Sequence, residues 1–283
     1  MTDRRKRARG RRARRWRGPL LLVGLLAAIA LGAPWIAPYS PDVPPTYATQ
    51  LHLPPSAAHP FGTDSFGRDV LSRVIHGSRV SLSLSVAAVS LALLLGTAYG
   101  ALAGLIGGTV DRLLMRMLDV ALAMPRLLLL LAVAAFFPTR LPLTAFILLL
   151  GCTGWFEVAR LVRGEVQALM HRDFMLAARS LGVPRVRQLW RHLLPHLFPI
   201  LAVTATLNVA GTITLEAGLS FLGLGVQPPT PSWGNIMLDG ADALFANWWL
   251  TVFPGLAIML AVLTCHALGD ALRDLFAMDQ LPA

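Results

Sequence analysis

Residues 80–110 carry no charged side chain, and this run is the strongest constraint that the sequence places on the fold. It is longer than the about 20 apolar residues that a helix needs to cross a bilayer. Inside lipid, backbone N–H and C=O groups must bond within the protein, which a helix achieves on its own. The whole chain is 55% hydrophobic and 14% charged, with a mean hydropathy of +0.61. We therefore predict an integral membrane protein and exclude a soluble globule.

Six apolar segments are long enough to span a bilayer, so the predicted fold class is an all-α integral membrane protein with six transmembrane helices. Arginines precede the first segment, as in a signal peptide, but no clean small-residue cleavage site closes it, which favours an uncleaved span. A turn at Gly107 and Gly108 is expected to follow the second span. The predicted spans are residues 19–38, 80–106, 113–137, 141–159, 195–215 and 244–268.

Basic residues are distributed unevenly between the loops. Ten of the 25 basic residues lie in residues 4–17, and residues 160–191 are rich in arginine, whereas residues 216–243 contain no Lys or Arg. Because cytoplasmic loops carry an excess of Lys and Arg, both termini are predicted to be cytoplasmic. The basic tail is interpreted as a membrane-side anchor and not as a nucleic-acid-binding segment.

The predicted spans divide the chain into five parts. The first outer loop begins proline-rich, becomes turn-rich at residues 61–69, and is expected to form a short amphipathic helix that ends at Gly77. Residues 218–240 mix glycine, proline and apolar residues, which predicts a short re-entrant or interfacial element. The five parts are a basic cytoplasmic tail (1–18), a first transmembrane helix (19–38), an extracytoplasmic loop (39–79), a five-helix core (80–268) that includes a cytoplasmic loop (160–194), and a cytoplasmic C-terminal tail (269–283).

The cytoplasmic loop contains a short amphipathic helix with a signal at each end. Asp173 can cap its N-terminus, Gly182 suits the left-handed residue after its last turn, and Pro184 prevents continuation. Between them, apolar residues recur at i, i+3, i+4 and i+7. A narrow stripe of small alanines beside one Phe is a poor core, but it fits a groove on another protein. The predicted docking stripe consists of Phe174, Ala177, Ala178 and Leu181.

Two ionisable residues fall inside the predicted third span. Asp119 and Arg126 are candidates for lining a translocation pathway, because charges within a membrane are costly and usually functional. Two structural alternatives stay open at this point. Asp119 could pair with Arg116 near the end of the span, or the span could be shorter than predicted.

No pattern in the sequence predicts a catalytic or metal site. His192 and His196 are spaced i, i+4, but a proline between them at the start of a span argues against metal binding. Cys152 and Cys265 both fall in apolar segments, which argues against a disulfide framework or a thiolate metal site. The only lysine, Lys6, lies in the tail, so a phosphate-binding Gly-x4-Gly-Lys-Ser/Thr loop is excluded.

Two further patterns concern the surroundings of the helices. Trp248 and Trp249 are interpreted as part of an aromatic belt at the outer membrane interface. Gly96, Gly100 and Gly104 follow a small-x-x-x-small spacing, which lets two helices approach closely. This spacing predicts burial against a second helical subunit, with packing inside the chain as the alternative.

Four blocks of sequence stand out beyond these patterns. They are His59-Pro-Phe-Gly-Thr-Asp-Ser-Phe-Gly-Arg-Asp-Val-Leu-Ser-Arg73, the loop from Arg160-Leu-Val-Arg-Gly164 through Ala177-Ala-Arg-Ser-Leu-Gly182 to Leu194-Pro195, residues 216–235, and Leu268-Gly-Asp-Ala-Leu-Arg-Asp274. Each block alone is weak, but their order around six spans is specific. From Leu20 to Asp274 the chain resembles the second-type membrane subunit of bacterial dipeptide, oligopeptide and nickel importers of the ATP-binding-cassette class.

The wider class of binding-protein-dependent importers has a cytoplasmic motif that this chain matches with two departures. The motif is Glu-Ala-Ala, three residues, Gly, nine residues, an aliphatic residue, any residue and Leu-Pro. Leu176 replaces the Glu, and His192 stands at the aliphatic position. The resemblance implies a coupling helix that docks into a groove of a nucleotide-binding subunit. The residues assigned to ATPase coupling are Asp173, Phe174, Ala177, Ala178, Leu181 and Gly182.

The resemblance also implies a fold and a set of partners. The fold is that of a type I ABC-importer permease with a cytoplasmic coupling helix, in the bacterial inner membrane. A second related permease would complete the pathway, two cytoplasmic ATPases would use ATP and Mg²⁺, and an extracytoplasmic binding protein would deliver the solute. The chain itself would bind no cofactor, contact membrane lipid and no nucleic acid, and catalyse no reaction. Because selection lies largely in the binding protein, the substrate stays open between dipeptide, oligopeptide, nickel, opine and other small solutes.

Two alternatives come from other functional classes. An ion- or proton-coupled secondary carrier would show inverted repeats with buried charges in corresponding positions, and no such repeat is evident in the sequence. A membrane scaffold or assembly protein would use the helix after residue 172 only as a docking element.

Overall fold

The computed structural model describes residues 2–41, 51–136 and 142–278. Within these ranges the regular elements are helices, and none is a strand. Part of the predicted loop 39–79, the end of the predicted third span and the last residues of the C-terminal tail lie outside the described residues. The helices are α1 (Thr2–Ile36), α2 (Val70–Ile106), α3 (Gly108–Ala123), α4 (Arg126–Ala135), α5 (Leu143–Met170), α6 (Asp173–Ser180), α7 (Arg185–Gln188), α8 (Leu194–Phe221), α9 (Trp233–Asp239) and α10 (Trp249–Met278), with a π-helical turn at Leu189–Leu193 and a 3-10 turn at Ala241–Ala243.

Five helical segments in the described part of the chain are long and apolar enough to cross a membrane. They are Arg17–Ile36 of α1, α2, α5, α7 together with α8, and most of α10. The pair α3 and α4 makes a sixth if it counts as one bent span. The all-α prediction is therefore confirmed, and the count of spans is five or six.

The predicted third span, residues 113–137, is not one straight helix. α3 ends at Ala123 and α4 begins at Arg126, with a bend of 74° between them. Pro125 lies at the bend, has no N–H to donate to an earlier carbonyl, and disfavours helical backbone at the residue before it. Met124 accordingly has an extended backbone with ψ of 127°. The predicted third span therefore stays a prediction in the form of one bent span, and apolar length alone did not reveal the break that one proline imposes.

α2 is longer than predicted, because it includes the amphipathic helix that precedes the apolar run. Asp69 caps its N-terminus, where the Asp69 carboxylate accepts hydrogen bonds from the Ser72 N–H at 2.8 Å and the Ser72 hydroxyl at 2.7 Å. The helix does not end at Gly77, so that prediction is wrong. A Cβ atom at Gly77 would lie 3.2 Å from Cδ1 of Trp233. Glycine is needed there because α9 approaches closely.

Glycines form the predicted turns before and after α2. Gly62 and Gly67 have φ of +75° and +76° in the turn-rich stretch, and Gly107 and Gly108 have φ of +69° and +63°. Glycine adopts these left-handed conformations without the steric cost that a Cβ atom brings. Both predicted turns are therefore confirmed.

α5 also extends beyond its predicted end. It continues to Met170, so the first part of the predicted loop 160–194 is helical. Val158, Val162 and Val166 form one buried stripe through the predicted boundary. Arginines on other faces of the same helix suggested a loop in the sequence. α8 and α10 likewise extend past their predicted spans.

α2 packs against α5 through three glycines. A Cβ atom at Gly96 or Gly104 would lie 2.6 Å or 2.9 Å from the Cβ atom of a valine on α5, and one at Gly100 would overlap the carbonyl oxygen of Ala159. The three glycines are therefore buried inside this chain. The prediction that they bury against a second subunit is wrong, and the alternative of packing inside the chain holds.

The two tryptophans predicted as a belt have different environments. Trp249 is 4% exposed, and its indole Nε1–H donates to the carbonyl oxygen of Thr63 at 3.1 Å. Trp248 is 45% exposed. Trp249 therefore anchors the turn-rich loop to the start of α10, because a buried indole N–H requires an acceptor. The belt prediction is wrong for this residue.

We expect Gly100→Ala to destabilise the protein, because the added methyl group overlaps a backbone atom of α5 that has little freedom to move. Overpacking of this kind costs about 1–3 kcal/mol. Gly211 in α8 has no atom within 4 Å of a Cβ position, so Gly211→Ala is the matched control. Thermal unfolding of the detergent-purified variants measures the difference. Equal melting temperatures for the two variants would contradict the packing role of Gly100.

Candidate coupling site

α6 is an eight-residue helix that follows α5 after His171 and Arg172. Asp173 is its first residue and not its cap, because the N-cap position is Arg172. The predicted capping role of Asp173 is therefore wrong. Its carboxylate lies in the first turn, where negative charge interacts favourably with the positive end of the helix dipole.

The C-terminal end of α6 closes with the predicted glycine turn. Gly182 has φ of +71°, and its N–H donates to the carbonyl oxygen of Arg179 at 2.9 Å. The Val183 N–H donates to the carbonyl oxygen of Ala178 at 3.1 Å. This pair of bonds is a Schellman motif, which satisfies carbonyl groups that the last turn leaves without partners. Pro184 follows and prevents further helix, as predicted.

One side of α6 packs against the rest of the chain. Met175 and Ala178 are buried, and Met175 belongs to the core formed by α5 and α8. Phe174 packs on the same core and stacks on the His196 ring with centroids 4.7 Å apart. Phe174 and Ala178 therefore face inward. The prediction that these residues share one docking stripe with Ala177 and Leu181 is wrong, because the fold divides the stripe between two sides.

The other side of α6 and the segment after it expose apolar side chains. Leu181 is 83% exposed and Trp190 is 69% exposed, and Leu176, Ala177 and Val186 are exposed as well. Leu176, the residue that departs from the motif, thus lies on the outward side beside Ala177. The exposed cations around this surface are Arg172, Arg179, Arg185, Arg187 and Arg191. Apolar side chains grouped on an exposed segment and rimmed by charge are typical of a surface that binds another protein.

α6 is tied to the apolar helix that follows it. The Gln188 side chain donates from Nε2 to the carbonyl oxygen of Val183 at 2.7 Å. α7 then continues through the π-helical turn into α8. Pro195 lies in the first turn of α8, and the π-helical turn before it contains His192. A movement of α6 would therefore act on two long apolar helices, α5 before it and α8 after it.

The structure does not bring Asp119 and Arg126 together. Asp119 on α3 pairs with Arg160 of α5, and both side chains are exposed. The partner of this carboxylate is therefore not the predicted alternative, Arg116. Arg126 begins α4 beyond the bend, and its Nη2 donates to the carbonyl oxygen of Leu150 at 3.0 Å.

Comparison with known proteins identifies the family. Residues 74–279 match the family described as binding-protein-dependent transport system inner membrane component. The chain belongs to this family. The permease is 39% identical over 263 residues to the di/tripeptide transport system permease protein DppC of Pseudomonas aeruginosa. The aligned region covers 91% of this chain and 86% of that protein. It is 37% identical over 255 residues to the oligopeptide transport system permease protein OppC of Bacillus subtilis, and the aligned region covers 90% of this chain and 82% of that protein.

A solved structure supports the fold. One chain of the MetNI methionine ABC transporter in inward-facing conformations aligns with a TM-score of 0.55, covering 72% of this chain and 96% of that chain. At 17% identity the likeness shows the fold alone. Together with the family match, it confirms the predicted resemblance. The protein is a multi-pass inner-membrane permease subunit of an ATP-binding-cassette importer.

An ion pair near the coupling site was not predicted from the sequence. Arg163 on α5 donates from Nε and Nη2 to the two carboxylate oxygens of Asp111 on α3, at 2.9 and 2.6 Å. Gln167 donates to the same carboxylate at 3.0 Å. This bidentate pair joins the start of α3 to the end of α5 that leads into α6. Arg163 lies in the predicted loop 160–194, so the sequence pattern did not indicate that it would face Asp111 from a helix.

A cluster of buried charges holds the segment before α2 against α9. Arg68 contacts Asp64 at 2.7 Å and Asp239 at 3.3 Å, and Arg73 lies 3.5 and 3.6 Å from the same two carboxylates. Burial raises the pKa of Asp239, whereas the positive charges of Arg73 and Arg68 oppose that rise. Breaking one member of such a buried set leaves an uncompensated charge, so the cluster fixes the relative position of the two segments.

Glu216 connects three helices in the permease. Its carboxyl group is buried and accepts hydrogen bonds from the hydroxyl groups of Ser81 on α2, at 2.9 Å, and Ser220 on α8, at 2.8 Å. The Ser81 hydroxyl also accepts from the backbone N–H of Trp233 at the start of α9. In the sequence, Glu216 stands out only as the first residue of the block 216–235. A single acidic residue before an Ala-Gly pair gave no indication of its partners.

We expect Gly182→Val to weaken the C-terminal turn of α6, because a β-branched residue strongly disfavours the left-handed conformation. The cost is about 1 kcal/mol or more. Gly182→Asn is the matched control, since asparagine tolerates this conformation and no atom lies within 4 Å of a Cβ at this position. Hydrogen exchange at the Val183 amide should accelerate in the valine variant and stay near the wild-type rate in the asparagine variant. Unchanged protection in both would contradict a role for the glycine turn.

Proposed function

We propose that this permease subunit forms, with a second related permease, the translocation pathway of an importer for peptides or a similar small solute, and that α6 couples the pathway to separate ATPases. The family membership and the peptide-transport names of the two relatives support the class and the substrate type. The observation that carries the coupling role is the arrangement of α6, with one side packed on its own core and apolar side chains exposed on the other.

The exposed surface of α6 would transmit the conformational change of the ATPase to the permease. Leu176, Ala177 and Leu181 would fit into a groove of the ATPase, while Phe174 and Met175 would hold the helix on α5 and α8. Motion of the ATPase would then move these two long helices together, since both contribute to the core on which α6 packs. In this arrangement Asp173 lies in the first turn of the docking element, and Gly182 forms the turn that ends it.

ATP chemistry is assigned to partner subunits. A phosphate-binding loop needs a lysine after its glycines, and the only lysine is Lys6 in the tail. ATP and Mg²⁺ would therefore be bound by two cytoplasmic ATPases, and no catalytic residue or cofactor is assigned to this chain. An extracytoplasmic binding protein would deliver the solute to the opposite side.

The proposed topology has six spans and both termini in the cytoplasm. α3 and α4 together count as one bent span, and an even number of spans places the two termini on the same side. The arginine-rich surface around α6 then faces the cytoplasm with the basic tail, in agreement with the charge distribution of the loops.

The roles proposed for Asp119 and Arg126 differ from each other. Asp119 is exposed on α3 and paired with Arg160, so it is the stronger candidate for lining the pathway. Arg126 holds a carbonyl group of α5 at the bend between α3 and α4, so its contribution to the pathway is to fix the shape of that bend.

We expect Ala177→Arg to abolish most of the ATPase stimulation that a loaded binding protein produces in the assembled complex. Ala177 is exposed, so the variant should fold and reach the membrane, but the larger charged side chain would obstruct docking. Ala168 is exposed on α5 outside α6, so Ala168→Arg makes the same chemical change as a control. ATP hydrolysis of reconstituted complexes, with and without loaded binding protein, is the measurement.

This experiment and a separate uptake assay without the ATPases distinguish the alternatives. Full stimulation in Ala177→Arg would remove α6 as the coupling element and favour the membrane-scaffold alternative. Solute uptake that persists without any ATPase, driven by an ion gradient, would favour a secondary carrier instead.

We expect a cysteine at Thr230 to react with an impermeant thiol reagent in intact cells, and a cysteine at Ser180 not to react. Both side chains are exposed, and the proposed topology places them on opposite sides of the membrane. The background variant lacks Cys152 and Cys265, the two natural cysteines. Labelling of the Ser180 site in intact cells, with Thr230 unlabelled, would reverse the orientation.

A further inference from the structure

A cavity of about 700 Å³ lies between α1, α2, α8 and α10. Its volume falls within the range of about 300–1,000 Å³ that is typical of small-molecule sites. Its wall consists mainly of apolar side chains from all four helices. Representative wall residues are Val23, Leu26, Leu82, Val86, Val209 and Leu268.

The hydroxyl groups in the cavity wall are already engaged. Each donates to a carbonyl group one turn earlier in its own helix, so the wall has no hydroxyl hydrogen atom to offer to a guest. The donors are Ser83, Thr206 and Thr264, at 3.2, 2.8 and 2.7 Å from the carbonyl oxygens of Val80, Val203 and Leu260. A peptide needs partners for its backbone groups, so it would bind poorly here. An apolar guest fits the wall.

Arg79 is the exception in this apolar wall. It lines the cavity, its side chain is exposed, and it immediately precedes the uncharged run 80–110. Among the residues that the structure describes, it forms no ion pair. Arginine presents a planar fork of donors that matches a phosphate group, and basic residues at a membrane boundary attract anionic headgroups. The cavity therefore combines an apolar body with one cationic end.

The size of the cavity favours an acyl chain over a helix of a partner protein. A spanning helix about 10 Å wide and about 30 Å long occupies roughly 2,000 Å³ or more. From Arg79 to Val86, the cavity follows α2 for only about 10 Å. A flexible hydrocarbon chain fits such a space, whereas a spanning helix does not.

From these features we propose that the cavity binds an anionic phospholipid, with an acyl chain between α1, α2, α8 and α10 and the phosphate group on Arg79. Moving the chain from the bilayer into the cavity changes its surroundings little, because both are apolar. Selectivity therefore comes from the pairing of the phosphate with the guanidinium. The lipid would join α1 to the helices of the permease core.

Native mass spectrometry of the detergent-purified transport complex tests this site. The probes are a phosphatidylglycerol and a diacylglycerol with the same acyl chains. We expect the complex to retain phosphatidylglycerol and not diacylglycerol, since only the former carries a phosphate. Arg79→Gln should lower retention about fivefold, the factor expected for about 1 kcal/mol per basic residue near an anionic lipid. Arg116→Gln, an exposed arginine outside the cavity, should leave it unchanged.

Two neighbouring alanines on α1 provide a second test of the same site. Ala27 lines the cavity and Ala28 does not, although both are exposed. Ala27→Phe should reduce lipid retention by filling part of the cavity, whereas Ala28→Phe should not. Equal retention in Arg79→Gln and wild type, or equal effects of the two phenylalanine variants, would overturn the proposal.

Cys265 offers an independent readout, because it is a free thiol that lines the cavity. In a Cys152→Ser variant it is the only cysteine in the chain. Its alkylation by a membrane-permeant maleimide should slow severalfold when phosphatidylglycerol is added to delipidated complex. Equal rates with and without lipid in an intact complex would show that the lipid does not occupy the cavity, and the proposal would fail.

Discussion

The close packing of α2 on α5 through Gly96, Gly100 and Gly104 is the contact on which the rest of the permease depends. Small residues let the two backbones approach until side chains of one helix meet the backbone of the other, and in lipid such dispersion contacts replace the hydrophobic effect as the force between helices. This contact sets the position of α5, and the end of α5 leads directly into α6. The bidentate pair of Asp111 and Arg163 adds a polar tie from α3 to the same end of α5.

Polar contacts organise the opposite end of the bundle. Glu216 joins α2, α8 and α9 through hydroxyl groups, and the cluster around Arg73 joins the segment before α2 to α9. Buried polar groups of this kind are favourable only when their partners are placed correctly, so they specify one arrangement more than they add stability. Ion pairs and hydrogen bonds thus position one end of α2, whereas close packing on α5 positions its middle.

The candidate coupling site shows how far a local pattern can be interpreted. The sequence predicted the position of α6, its glycine turn at Gly182 and the stop at Pro184, because these depend on the conformational preferences of single residues. It did not predict which side of α6 is exposed. Phe174 and Ala178 share a periodic stripe with Ala177 in the sequence, but Phe174 packs on the core of α5 and α8 and Ala178 is buried, whereas Ala177 is exposed. Periodicity indicates which residues share a face of the helix, but it does not indicate which part of that face packs on the neighbouring helices.

The amino-acid sequence by itself determined the class of fold, the approximate places of the apolar helices and the turns at glycine, because hydropathy and backbone sterics act locally. The resemblance of four blocks also indicated the family, which comparison confirmed. Only the tertiary structure decided that Pro125 bends one predicted span, that the glycines of α2 face α5, and that Trp249 and Ala178 are buried. Apart from the bend, which one proline imposes locally, these features depend on contacts between residues far apart in the chain, and a linear pattern does not specify which of several apolar surfaces becomes the neighbour.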